Sequence, residues 1–277
     1  MSSGTGFSGS SFGNRGGKKM NKLYEKSALI FSFAWIAIYC VLQSLAYPLN
    51  EIIGIEYAAS AVFCFLQATA LFMFIKKNWL LSYYGICKTY VPARRFLYYI
   101  PLLVLMTRNF WNGAAVNFPL ADTVCYIVCM LCVGFVEEVI FRGFLFKAIA
   151  RDNETLAIII SSVTFGLGHL LNLVNGSGAE LVEDLFQVTG AIVIGFLFVI
   201  LFDRGGSLLP CIITHAVINI ASVFANEAGL TIEKRMVFHL ALIAITAAYA
   251  LILTKTLPKK QQTEMARRQN AELINRT

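Results

Sequence analysis

Two adjacent carboxylates and a guanidinium lie within six residues of an otherwise apolar run, Glu137-Glu138-Val-Ile-Phe-Arg142. At the centre of a bilayer, one ionisable side chain costs roughly 2.5–3.5 kcal/mol even on insertion-based scales. Three such side chains persist at that depth only if they pair with one another or face a polar cavity. The stretch therefore predicts a polar site inside a membrane.

Helical geometry separates the roles of the two carboxylates. Glu138 and Arg142 are spaced i, i+4 and share a helix face, with the acid N-terminal to the base, which is the favoured order. Glu137 points about 100° away from Glu138 because an α-helix has 3.6 residues per turn. We expect Arg142 to neutralise Glu138 and to leave Glu137 free to face a cavity. The alternative is a buried ion cluster that only fixes helix packing.

Two of the three histidines belong to motifs of their own. His169 ends the segment Phe165-Gly-Leu-Gly-His169, in which both glycines let a neighbouring helix approach closely. His215 and Asn219 are spaced i, i+4, so they share a helix face. Interhelical hydrogen bonding for packing is the alternative interpretation of each motif. His239 has no polar partner at helical spacing, and we interpret it as an interfacial or packing histidine.

Together these residues form a set that can hydrolyse an amide. A buried carboxylate such as Glu137, next to a histidine, can hold a water molecule and take its proton. His215 and Asn219 can both donate hydrogen bonds to the oxygen of a tetrahedral intermediate. Glu137, His169 and His215 also resemble the ligands of a catalytic divalent metal such as zinc, although an HExxH motif is absent.

The composition places these motifs in a membrane. The 277 residues are 57% hydrophobic and only 14% charged, and the mean hydropathy is +0.67, whereas about a quarter of a soluble domain is charged. We predict an all-α, polytopic membrane bundle of about eight transmembrane helices, at about 20 apolar residues per span. The predicted spans are 27–47, 57–75, 96–106, 120–146, 155–171, 181–202, 207–224 and 236–257.

The placement of charge predicts the orientation of the bundle. With the N- and C-termini cytoplasmic, nineteen Lys and Arg fall in cytoplasmic segments and three outside, namely Arg108, Lys234 and Arg235. This asymmetry follows the positive-inside rule and accounts for the net charge of +7 without nucleic acid as a partner.

The seven cysteines lie almost entirely in apolar segments, including Cys129 and Cys132 of a CxxC, and we expect them to pack as small hydrophobes.

The domain organisation follows from the same composition. Residues 1–19 form a Gly/Ser-rich tail that we expect to be disordered. Residues 20–257 form a single transmembrane helical domain, whose motif core is 120–224. Residues 258–277 form a charged cytoplasmic tail.

The order of the motifs EExxxR, FxxxH and HxxxN, between Glu137 and Asn219, resembles the CPBP family. These are intramembrane endopeptidases of the CAAX prenyl protease 2 and bacteriocin-processing (Abi) types. The resemblance implies that two residues activate water, two stabilise the oxyanion and two support the site. The pair that activates water is Glu137 with His169. The pair that stabilises the oxyanion is His215 with Asn219. The supporting pair is Glu138 with Arg142.

The resemblance also implies a function. It predicts hydrolysis of a membrane-associated peptide or lipidated protein, in CAAX-type C-terminal processing or in maturation of, or immunity to, bacteriocin-like and signalling peptides. The protein is then a multi-pass protein of a bacterial plasma membrane. The family has been described both as metalloproteases and as metal-independent glutamate proteases, and we favour a mechanism that needs no cofactor.

Two alternatives come from other functional classes. One is a non-proteolytic membrane scaffold or regulator that retains the protease fold. The other is a transporter whose intramembrane acids and histidines relay protons. The repeated pair of interrupted spans that marks many transporter sites is not found in the two halves of the sequence.

Overall fold

The computed structural model describes residues 20–89, 91, 99–170 and 181–257, and every regular element in these ranges is helical. The tails predicted at 1–19 and 258–277 lie outside the described residues, as does part of the third predicted span. The predicted fold class is confirmed: the protein is an all-helical, polytopic membrane bundle.

Eight apolar helices in the described part of the chain correspond to the predicted spans. A short helical segment at 20–26 precedes them. The eight are α1 (Ala28–Ile53), α2 (Ala58–Lys77), α3 (Ile100–Met106), α4 (Leu120–Glu138), α5 (Glu154–Gly168), α6 (Leu181–Gly205), α7 (Leu209–Ser222) and α8 (Ile232–Thr256). Helix α4 continues without a break through a π-helical segment, Val139–Phe146, and a last α-helical turn, Lys147–Ala150.

Five of these helices, α1, α2, α4 with its continuation, α6 and α8, are long and apolar enough to cross a membrane. Helices α5 and α7 have only 15 and 14 residues, which is roughly 21–23 Å at 1.5 Å per residue, against a hydrocarbon core of about 30 Å. Both end close to polar residues of the protein interior, where backbone groups find partners other than lipid. Helix α3 has seven residues and is shorter than a span.

Local sequence signals account for several helix ends. The side chain of Asn153 accepts a hydrogen bond from the backbone N–H of Leu156 at 2.9 Å and caps α5. Ser27 and Thr231 cap α1 and α8 in the same way. These residues satisfy one of the orphan N–H groups that every helix start leaves unpaired.

Helix α4 and its π-helical continuation form the centre of the bundle. Helix α4 packs between α2 and α7, and the π-helical segment contacts α1 and α5. On the far side, α6 packs against both α5 and α8. All eight residues of the π-helical segment are buried. The EExxxR motif is therefore enclosed by protein rather than by lipid.

The two ends of the bundle differ in charge. At one end, the backbone N–H of Leu208 donates to Gly85 O at 2.8 Å and Arg204 Nη1 donates to Leu257 O at 3.0 Å. Most described cations, including Lys76, Lys77 and Arg151, lie in the segments that meet there. The opposite end joins the α3–α4 and α7–α8 connections and carries the three predicted non-cytoplasmic cations. This segregation agrees with the predicted cytoplasmic position of the basic end.

The two glycines of the Phe165–His169 segment behave differently. A Cβ atom at Gly166 would lie 2.9 Å from the backbone nitrogen of Ile192, so this glycine allows α5 to approach α6. Among the described residues, a Cβ atom at Gly168 would meet nothing within 4 Å. The expectation of close helix approach is therefore right for Gly166 and wrong for Gly168.

We predict that Gly166→Ala lowers the free energy of unfolding by about 1–3 kcal/mol, because the added methyl overpacks the α5–α6 contact. Gly168→Ala is the matched control, since it makes the same chemical change in the same helix at an open position. Thermal unfolding of both purified variants in detergent compares them. Equal midpoints would contradict the prediction.

Candidate active site

The carboxylate and the guanidinium of the predicted ion pair meet in the core of the bundle. Arg142 Nη1 lies 3.1 Å from Glu138 Oε1, and both side chains are fully buried. The guanidinium also stacks over the ring of Phe165, with Cζ 3.9 Å from the ring centroid. The structure thus contains the i, i+4 pair that the spacing predicted, together with a cation–π contact that the spacing alone did not indicate.

His215 connects the two carboxylates from the neighbouring helix α7. Its Nδ1 lies 2.9 Å from Glu138 Oε1 and its Nε2 lies 3.6 Å from Glu137 Oε2. Because an ionised carboxylate only accepts hydrogen bonds, Nδ1 is the donor toward Glu138. Gly134 permits this approach, since a Cβ atom there would lie 2.9 Å from the backbone nitrogen of Ala216.

Glu137 is held by a residue that the sequence analysis did not identify. Tyr39 Oη, from α1, donates a hydrogen bond of 2.5 Å to Glu137 Oε1. The expectation that Glu137 is free was therefore wrong for this oxygen. Its Oε2 has no hydrogen-bond partner among the described residues. The only sequence signal for Tyr39 was a polar hydroxyl in an apolar span, which usually finds a partner when buried.

A cavity of about 440 Å³ adjoins this cluster. All three histidines of the chain line it, together with Asn219, which lies one helical turn beyond His215. Glu137 is not among the lining residues and adjoins the cavity through its contact with His215. The cavity extends toward the end of the bundle where the α3–α4 and α7–α8 connections meet.

His169 is the C-cap residue of α5, directly after Gly168, and its side chain is half-buried. The ring of Phe165 stands between two imidazoles, with its centroid 5.5 Å from that of His169 and 5.6 Å from that of His215. His169 lies within range of electrostatic interaction with both Glu137 and His215. The described structure thus brings the residues of all three motifs into one neighbourhood.

His239, which we interpreted as an interfacial or packing histidine with no polar partner at helical spacing, has a polar partner on another helix. Its Nε2 lies 3.0 Å from Thr189 Oγ1, and its ring stacks on Phe186 with centroids 4.8 Å apart. Both partners are on α6, so the polar contact could not be found from spacing within α8. His239 shares the cavity with the other two histidines.

The residues suggested as metal ligands have other contacts in the described structure. Among residues 20–89, 91, 99–170 and 181–257, no group of three or more His, Cys, Asp or Glu side chains is arranged to hold one. In the set of Glu137, His169 and His215, Oε1 of Glu137 accepts from Tyr39, and Nδ1 of His215 donates to Glu138.

The cysteines contribute packing to the wall between α2 and α4. Cys129 packs against Cys64 with their sulfur atoms 3.9 Å apart, and both side chains are buried. All seven cysteines are free thiols. Cys129 and Cys132 of the CxxC belong to one small hydrophobic cluster, as expected of residues that pack as hydrophobes.

Tyr39→Phe tests how much the hydrogen bond to Glu137 contributes. Losing a hydrogen bond to a charged group costs about 1.5–3 kcal/mol, so we predict a tenfold to hundredfold lower turnover. Tyr249→Phe is the matched control, because the buried Tyr249 hydroxyl has no hydrogen-bond partner among the described residues. Steady-state kinetics of both variants is the measurement, and equal turnover would contradict the prediction.

The fold and the site define a class: a multi-pass membrane protein with a buried Glu–Arg–His cluster beside an internal cavity. Residues 119–221 match the family model described as type II CAAX prenyl endopeptidase Rce1-like. This part of the chain is thus similar to the CAAX-type intramembrane endopeptidases, as the motif order predicted. Among curated proteins and solved structures, nothing matches the chain.

Proposed function

We propose that the protein hydrolyses a peptide bond near the C-terminus of a membrane-associated substrate, without a metal. In this proposal Glu137 and His169 activate water, and His215 and Asn219 stabilise the oxyanion. The observation that carries it is the position of His215, which contacts both carboxylates of α4 and lines the same cavity as His169 and Asn219.

Glu137 has one oxygen available for a water molecule. Tyr39 occupies Oε1, which fixes the carboxylate, while Oε2 has no hydrogen-bond partner among the described residues. In the proposed reaction the Glu137 carboxylate takes a proton from a water molecule while the oxygen of that water attacks the carbonyl carbon. When the tetrahedral intermediate collapses, the carbonyl re-forms, the C–N bond breaks and the same proton passes from Glu137 to the leaving amine. General acid–base catalysis of this kind contributes about 10²–10⁴-fold.

The oxyanion role of His215 requires a proton on each ring nitrogen. Nδ1 donates to Glu138, so Nε2 can donate to a developing oxyanion only when the ring is an imidazolium. Two carboxylates, the Arg142 guanidinium and this imidazolium then form a cluster with no net charge, which lowers the cost of burying them. Asn219 supplies a second donor from the same face of α7, and one such donor is worth about 10²–10³-fold in turnover.

Glu138 and Arg142 act by positioning in this proposal. Glu138 Oε1 lies within hydrogen-bond distance of both Arg142 Nη1 and His215 Nδ1. The carboxylate therefore sets the orientation of the imidazole, and the guanidinium balances its charge. Neither residue needs to contact the substrate for this role.

The test is a cleavage assay on the purified protein with two matched peptides, one prenylated on a cysteine near its C-terminus and one unmodified. Mass spectrometry locates the cleaved bond. We expect a single internal cleavage that survives exhaustive chelation. If only the unmodified peptide is cleaved, the substrate is of the bacteriocin or signalling-peptide kind. Absence of product from either peptide, with folded protein, would contradict the proposal.

A further inference from the structure

Arg108 is a cation in the cavity that the proposed chemistry does not use. It begins the 3₁₀ turn Arg108–Phe110, after α3, and lines the same cavity as His169, His215 and Asn219. Its charge lies within range of electrostatic interaction with His169 and His239. It therefore contributes a positive potential to the space beside the candidate active site.

Among the described residues no carboxylate forms an ion pair with this guanidinium, although Asp184 and Glu227 line the same cavity. By contrast, Arg142 pairs with Glu138 and Arg235 pairs with Glu227 at 2.7 Å. Burial lowers the pKa of Arg108. An arginine nevertheless keeps its charge. A half-buried cation without a counterion is a site for an anionic ligand.

The position of Arg108 is set by a chain of hydrogen bonds that leads to the catalytic helix. Arg108 Nε donates to Asn109 Oδ1 at 3.4 Å, and Asn109 Nδ2 donates to the backbone oxygen of Ile218 at 2.5 Å. Trp111, from the same connection, packs edge-on against Phe238 of α8 with ring centroids 5.7 Å apart. The guanidinium is thus anchored to α7 within one turn of His215 and Asn219, with its two Nη groups left for a ligand.

We propose that Arg108 binds the C-terminal carboxylate of the peptide substrate and so sets which bond is cleaved. The inference rests on the proposed function. The C-terminal carboxylate is the one anion that a peptide cleaved near its C-terminus always carries. A guanidinium matches it in charge and in bidentate geometry.

The spacing along the cavity agrees with a short leaving peptide. Ile218 lies three residues beyond His215, about 4.5 Å along the axis of α7. The side chains of Asn109 and Arg108 add their own length to that distance. A leaving peptide of a few residues, at about 3.4 Å per extended residue, has the reach to connect the cleaved bond with the guanidinium.

The test compares two peptides of one sequence, one ending in a carboxylate and one in a carboxamide. A hydrogen-bonded charge pair is worth about 1.5–3 kcal/mol, so we expect the wild-type protein to prefer the carboxylate by about tenfold to hundredfold in kcat/KM. Arg108→Gln brings that ratio close to one by lowering kcat/KM for the carboxylate peptide alone. Arg108→Lys, which keeps the charge, retains part of the preference.

Arg235→Gln is the matched control. Arg235 lines the same cavity but is paired with Glu227, so its neutralisation leaves the carboxylate preference unchanged. An equal loss of preference in both variants would assign the effect to the general potential of the cavity and overturn the proposal. So would a wild-type protein that cleaves both peptides equally well.

A binding measurement separates this inference from the proposed function. The affinities of the carboxylate and carboxamide peptides for the wild-type protein, measured by fluorescence anisotropy under conditions without turnover, require neither cleavage nor a variant. Tighter binding of the carboxylate without any cleavage would support the role of Arg108 and contradict the proposed hydrolysis. Equal affinities would overturn the role of Arg108 even in an active protease.

Discussion

Glu137→Gln lowers the turnover of a cleaved peptide by about 10²–10⁴-fold while the protein remains folded, if Glu137 is the general base. The amide has the same shape as the carboxylate, and its oxygen can still accept the hydrogen bond from Tyr39. It can no longer take a proton from water. The loss therefore falls on turnover rather than on the packing between α1 and α4. Single-turnover kinetics on the purified variant gives the rate of the chemical step.

His169→Ala tests the second residue that we propose to activate water. The imidazole lies at the end of α5 and is half-buried, so its removal leaves the core around Arg142 intact. We expect the same loss of turnover with an unchanged thermal midpoint. Retained turnover in both purified variants would remove the enzymatic interpretation, and loss of folding in both would favour a structural role for the cluster.

Contacts between residues of one helix were the part of the site that the sequence predicted best. The spacing of Glu138 and Arg142 predicted their ion pair, and the cap that Asn153 forms on α5 is equally local in sequence. In both cases the partners are three or four residues apart, so helical geometry alone places them together. The apolar composition predicted the helical membrane bundle for a similar reason, since only helices or closed barrels satisfy the backbone in lipid.

Contacts between helices far apart in the chain were not accessible in this way. Tyr39 reaches Glu137 across 98 positions of sequence, and His239 meets Thr189 across 50. Gly134 admits Ala216 from α7, which no local pattern indicated. Each of these contacts depends on the rotation and depth of two helices. Hydropathy gives the depth of a helix only to within a few residues and does not give its rotation.

The lengths of α5 and α7 show a second limit of hydropathy. Both were predicted as full spans, because apolar residues continue beyond their last helical turn. Both helices end earlier, α5 at Gly168 and α7 at Ser222, beside residues that line the cavity. Backbone groups released at a helix end need polar partners that lipid does not provide, so a helix is able to stop where it faces a polar cavity. Composition alone does not reveal such a cavity.

The structural and the catalytic interpretations of the Glu–Arg cluster are compatible, because each concerns different residues of the cluster. Glu138 and Arg142 are completely buried, whereas the Glu137 side chain is 11% exposed and keeps one oxygen without a hydrogen-bond partner among the described residues. The pair orients His215 through its Nδ1, and the second acid, Glu137, lies near Nε2 of the same imidazole. Stability and turnover should therefore respond to different members of one cluster.

Arg142→Met should lower the free energy of unfolding by about 3–5 kcal/mol, the cost expected when one member of a buried ion pair is removed. Methionine retains much of the apolar length of arginine, so most of the loss comes from the uncompensated charge of Glu138 rather than from a cavity. Thermal or denaturant unfolding in one detergent, followed by circular dichroism, measures it.

Arg235→Met supplies the matched control, since Arg235 forms an Arg–Glu pair in which the Glu227 side chain is 64% exposed. Removing an exposed pair costs about 0–1 kcal/mol. In the double variant with Glu138→Gln and Arg142→Met, neither charge remains, and its loss of stability should be smaller than the sum of the two single losses. Additive losses, or an Arg142→Met midpoint as high as that of Arg235→Met, would mean that the pair does not hold the site together. A residue other than the Glu138–Arg142 pair would then have to position His215 for catalysis.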